Sequence, residues 1–125
     1  MILHQNLFNA EAVAASGTAY STALDLRDMV RNGMFSLFIK EAGDGTGKWE
    51  FELSYNYDPV NETGDWVTPT GSSDIIAAFT KSDGPGSDGI DAYTFEPDVS
   101  PFLRIKVTET GGADALECTA VIAMQ

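Results

Sequence analysis

Every second residue from Trp49 to Tyr57 is a large apolar or aromatic one: Trp49, Phe51, Leu53, Tyr55 and Tyr57. Lys48, Glu50, Glu52, Ser54 and Asn56 fill the places between them. An extended chain alternates its side chains between two faces, whereas a helix would scatter these five around its axis. The stretch therefore reads as a strand with one face on a core and the other in water, the habit of antiparallel sheets. Residues 34–40 repeat the pattern, with Phe35, Leu37 and Ile39 inward and Ser36, Phe38 and Lys40 outward. Residues 102–109 set Leu103, Ile105 and Val107 against Arg104, Lys106 and Thr108. Phe38 breaks the rule, a large ring on the side meant for water.

Further strands are expected over 19–26, 75–80, 90–95 and 116–124, with a short one near 65–68. Between them stand GDGTG at 43–47, NETGD at 61–65, SDGPGSDG at 82–89 and TGGAD at 110–114. Gly supplies positive φ there, and Asp or Asn side chains bond their own backbone, so such clusters end strands. The expected fold class is all-β, an antiparallel β-sandwich or jelly roll of about 7–8 strands. Residues 9–15 (NAEAVAA) allow at most a short helical turn, and residues 1–17 are expected to form an extended N-terminal arm that orders against a neighbour. Residues 18–125 then form the β-sandwich domain. A chain of 125 residues has room for one such core.

Nineteen acidic residues against seven basic ones give a net charge of -12. That field repels phosphate, so neither nucleic acid nor an anionic membrane is an expected partner, while a basic protein surface or cations would suit it. The single cysteine, Cys118, has no partner for an internal disulfide and alternates with polar residues inside an apolar run, as a small core residue would. The opening MILHQNLFNAEAVAAS lacks the basic region and long apolar run of a secretory signal, so synthesis in a cytoplasm is expected.

Groups for catalysis are scarce. His4 is the only histidine and falls in the expected arm. No spacing fits a zinc site, a P-loop or a nucleophile elbow, so no enzyme activity and no cofactor are expected. Asp83, Asp88 and Asp91 lie in one turn-rich run that could offer oxygen ligands to Ca²⁺, though the twelve-residue loop with its closing Glu is missing. Trp66, in the turn-like GDWVTP, is a candidate for stacking on sugars; Trp49, Tyr55 and Tyr57 share the inward face of a strand. A calcium- or carbohydrate-dependent binding module is thus one reading. Assembly is the other: Ile2, Leu3, Leu7, Phe8 and Val13 of the arm, with Phe38, form the expected interface, rimmed by the 82–89 loop.

The segment FEPDVSPFLRIKVTETGGADALECTAVIAMQ resembles the C-terminal part of small structural proteins of tailed bacteriophages and prophages. In those proteins a proline-flanked approach, a strand and a Gly/Ala/Asp turn lead to a last strand near the end of the chain. TAYSTALDL, FSLFIK and KWEFELSYNYD followed by GDW share that character and order, extending the resemblance over residues 19–125. It implies a virion component of the head decoration (cement) type, on the outer capsid surface. The implied partners are the major capsid protein and copies of the chain itself, as trimer or dimer. No ligand-binding residues come with the resemblance.

Overall fold

A computed structural model describes residues 3–28, 34–71 and 73–124. They form nine strands: β1 (Leu3–Val13), β2 (Thr18–Tyr20), β3 (Leu24–Asp25), β4 (Phe35–Gly43), β5 (Gly47–Ser54), β6 (Asp74–Phe79), β7 (Ile90–Phe95), β8 (Phe102–Glu109) and β9 (Leu116–Met124). One sheet runs β1-β9-β4-β7; the other runs β2-β8-β5-β6, with β3 also on β8. All pairings are antiparallel. Because β2 and β3 follow one another along β8, the chain nests as a long hairpin: β1 with β9, β2–β3 with β8, β4 with β7, and β5 with β6 at its tip. Rolled into two facing sheets, that pairing is a β-sandwich of the jelly-roll kind.

The inward residues of the alternating runs meet between the sheets. Phe35, Leu37 and Ile39 of β4 and Ile122 of β9 face Trp49, Phe51 and Leu53 of β5 and Leu103, Ile105 and Val107 of β8, all buried. Phe51 stacks on Phe95 with centroids 5.6 Å apart, and Phe8 meets Trp49 edge-on at 6.0 Å. Cys118 is buried among them, and its thiol is pushed up to about 12, first by burial and then by the nearby Glu41.

Three expectations change. The N-terminal segment is no free arm and carries no helical turn: β1 pairs with β9 from Leu3–Met124 to Val13–Leu116, through bulges, and Ala10 lies at φ 50°. Its backbone has a sheet edge of its own chain to bind, which outweighs waiting for a neighbour. The strand expected over 19–26 is interrupted, since Ser21 turns its hydroxyl to the Ile105 N–H and to the Thr22 carbonyl. Finally, the polar face of β5 is not in water, because Glu50, Glu52 and Ser54 are all buried. Arg104 and Lys106 on β8 lie beside Glu52 and Glu50, while Thr68 and Ser73 donate hydroxyls to the same two carboxylates at 3.0 and 3.1 Å. Val67 continues the sheet by exchanging two backbone bonds with Leu53, near the expected short strand. The strand proper ends at Ser54, which frees Tyr55 to be 62% exposed.

Candidate functional site

Strand register determines what the outer face of the β1-β9-β4-β7 sheet offers. Asn6, Val121, Phe38 and Ala92 form one row across its four strands. His4, Ala123, Ser36 and Thr94 form the next; Thr119, Lys40 and Ile90 form a third. None of the nineteen carboxylates occupies these rows, and Lys40 is their only lysine or arginine. Phe38, at their centre, is 42% exposed. The carboxylate of Glu117 begins only in the following row, opposite Ala42.

Phe38 faces outward and is exposed, as its place in the alternation predicts, and the rest of the set expected at an interface divides differently. Ile2 and the side chain of Leu3 lie outside the described residues. Leu7 is half-buried against the core, and Phe8 and Val13 are part of the core. These apolar residues are consumed by the chain's own fold and are not a surface awaiting a partner.

The acidic loop is likewise occupied by its own architecture. Asp83 accepts the N–H and hydroxyl of Thr80, Asp88 accepts the Ile90 N–H, and Asp91 accepts the Ala92 N–H. Gly84 and Gly89, both at positive φ, fold the loop flat; a Cβ on Gly89 would lie 2.5 Å from the Glu41 carbonyl oxygen. Among the described residues, no three His, Cys, Asp or Glu side chains converge as metal ligands would. The run that suggested Ca²⁺ is spread around a turn.

Two glutamates at the same end of the sandwich contrast sharply. Glu109, 1% exposed, accepts four backbone N–H groups, from Ser16, Thr46, Gly111 and Gly112, at 2.7–3.1 Å. These bonds hold its carboxyl down to about 2 and clip three loops together. Glu41, 3% exposed, accepts the Trp49 indole N–H on Oε2 at 2.7 Å, while its Oε1 has no partner. Burial, with Asp83 and Glu109 nearby, pushes it up to about 7.

On the outer face of the second sheet, Arg104 is held between two rings, 4.0 Å from the Tyr20 centroid and 4.4 Å from that of Trp66. Its Nε and Nη2 both reach Glu52 Oε1 at 2.7 Å. Trp66 also packs on Tyr57, centroids 5.3 Å apart, so it is no bare stacking platform. A hollow of about 380 Å³ opens beside this group. Sequence reasoning picked out Trp66 and missed Arg104, Tyr20 and Glu52, whose pairing depends on register between distant segments.

No family model and no curated protein matches the chain. Among solved structures it is similar to PirA, at 16% identity and a TM-score of 0.48, covering 95% of this chain and 90% of that one. It is also similar to Aeromonas hydrophila PliG, a periplasmic inhibitor of g-type lysozyme, at 13% identity and a TM-score of 0.45, covering 98% and 84%. Likenesses this faint carry no activity to the present chain.

Proposed function

We propose that the chain is a virion structural protein, a head decoration protein that seats the Phe38-centred face of its four-stranded sheet on the coat. The observation that carries this reading is the absence of carboxylates from the three rows around Phe38, which hold a single lysine, in a chain of net charge -12. A patch without carboxylates, its one lysine a row away from Phe38, can be desolvated at its centre without stranding charge, and depletion of charge marks the centres of interfaces. The sequence resemblance supplies the virion setting, and a rigid sandwich suits a clamp that adds buried area across a seam.

Size sharpens the proposal. Four strands at ~4.8 Å and three rows at ~6.8 Å span about 400 Å², against roughly 800 Å² per partner in a stable interface. The patch alone supports a weak pair, so lasting attachment needs added contact on the coat and repetition over a shell. The test is co-sedimentation of the purified protein with undecorated shells of the phage or prophage that encodes it. The wild type is expected to pellet with the shells, and Phe38→Glu, folded by circular dichroism, to stay in the supernatant. Pelleting of the variant at wild-type occupancy would remove the face from the mechanism; a wild type that never pellets would remove the decoration role.

A further inference from the structure

The hollow beside Arg104 lies on the sheet facing away from Phe38, so it is not part of the docking face. Its volume of about 380 Å³ is at the small end of ligand pockets, which run ~300–1,000 Å³. Tyr57, Pro59 and Trp66 supply apolar lining, Thr22 a hydroxyl, and Arg104 and Glu62 the charged groups.

Arg104 and the backbone of the loop that carries Glu62 are held before any ligand arrives. Arg104 is clamped by Glu52 and by the rings of Tyr20 and Trp66, and its Nη1 takes no part in the Glu52 pair. The 58–63 loop bearing Glu62 is closed on itself: Asp58 Oδ1 accepts the Val60 and Asn61 N–H groups, and the Asp58 N–H donates to the Thr63 carbonyl at 2.7 Å. Within it Glu62 adopts φ 54°, a conformation that non-glycine residues rarely take. A clamped donor, an acceptor carried on a closed loop and apolar side chains around one ring-sized space are what orient a small polar ligand at reduced entropic cost.

Charge selects the ligand class. Glu52 neutralises Arg104, and Glu62 then leaves the hollow net negative, which disfavours phosphates and acidic sugars. A neutral ligand with a C–H face and several hydroxyls uses every wall: the C–H face lies on Tyr57 and Pro59, and hydroxyls donate to Glu62 and accept from Arg104 and Thr22. We infer that the hollow binds a single neutral sugar ring, such as a terminal residue of a surface glycan. Docked by Phe38 on one side, the protein would present this site outward on the other.

The experiment is an NMR titration that reads the two tryptophan indole N–H resonances. The probes are the methyl glycosides of glucose, galactose, mannose and N-acetylglucosamine, each taken into the millimolar range. Trp49, buried and bonded to Glu41, is the internal control. At least one glycoside is expected to shift the Trp66 resonance saturably while Trp49 stays in place. Glu62→Gln and Thr22→Val, both at exposed positions, are each expected to weaken binding about tenfold, one hydrogen bond's worth. Phe38→Glu should leave the titration unchanged, which separates this site from the docking face. A Trp66 resonance that ignores all four glycosides, or that answers only lysine methyl ester, overturns the inference, as does undiminished affinity in both hollow variants.

Discussion

Glu41 and Glu109 share a side chain, an end of the sandwich and near-complete burial, yet their proton affinities diverge because backbone N–H groups solvate both oxygens of Glu109, whereas desolvation dominates at Glu41. Glu109 replaces water with four N–H donors, so its charged form is the favoured one in the fold. Glu41 has the Trp49 indole on one oxygen and none on the other, so its neutral form is favoured. With Glu41 raised from 4.5 to about 7, the folded chain holds a proton that the unfolded chain releases, and stability falls as pH rises through that window. Glu109 acts on the acid side: lowered from 4.5 to about 2, its contribution is present above the window and is lost as pH falls through it. Wild type should therefore have a higher urea midpoint at pH 5 than at pH 8. Glu41→Gln keeps the shape and accepts the same indole bond, so it should leave the pH 5 midpoint nearly unchanged and raise the pH 8 stability by up to about 3 kcal/mol. Equal midpoints for the variant and wild type at pH 8 would show that Glu41 already ionises without cost.

At the scale of elements, β1 decides whether the N-terminal segment belongs to the fold or to a partner. It contributes Phe8 and Val13 to the core and covers the edge of β9. Phe8→Ala should accordingly cost about 3–5 kcal/mol in urea unfolding of the isolated chain. A cost near zero would return the segment to the role of a docking arm. Ala10→Gly should stabilise by about 1 kcal/mol in the same assay, because glycine takes φ 50° without strain. The sequence makes the strands that supply most of the core legible, because their alternation is a local property: β7, β8 and β9 fall on the expected residues. It also held the two buried glutamates in plain view, since Glu41 continues the inward series Phe35, Leu37, Ile39, and Glu109 continues Leu103, Ile105, Val107. β1 was hidden because bulges break its alternation and its Ala-rich end imitates helix. The outer face of β5 was hidden because its cover comes from β8 and from Thr68 and Ser73, brought together only by the fold. The carboxylate-free rows around Phe38 were legible in one strand at a time, but as a surface they exist only once four strands are in place.

For the whole molecule, the question is how a chain of net charge -12 approaches a copy of itself. Long-range repulsion acts over the Debye length, about 10 Å at 0.1 M salt and 3 Å at 1 M, whereas the contact proposed for the Phe38 face is made at van der Waals distance. Salt should therefore remove the repulsion and leave the contact. Weak self-association, followed by sedimentation at high protein concentration, is expected to strengthen as NaCl is raised from about 0.05 M to about 0.5 M. Phe38→Glu places a carboxylate at the centre of the face, where desolvation penalises it, and should abolish association at both salts. CaCl₂ at matched ionic strength should do no more than NaCl, since Asp83, Asp88 and Asp91 each bond to their own turn. Association that weakens with salt would mean ion pairs hold the contact, placing it at the acidic rim and not at Phe38. An extra response to calcium would instead restore the 82–89 loop as a cation site. The direction of the salt effect thus separates the Phe38 face from its two rivals.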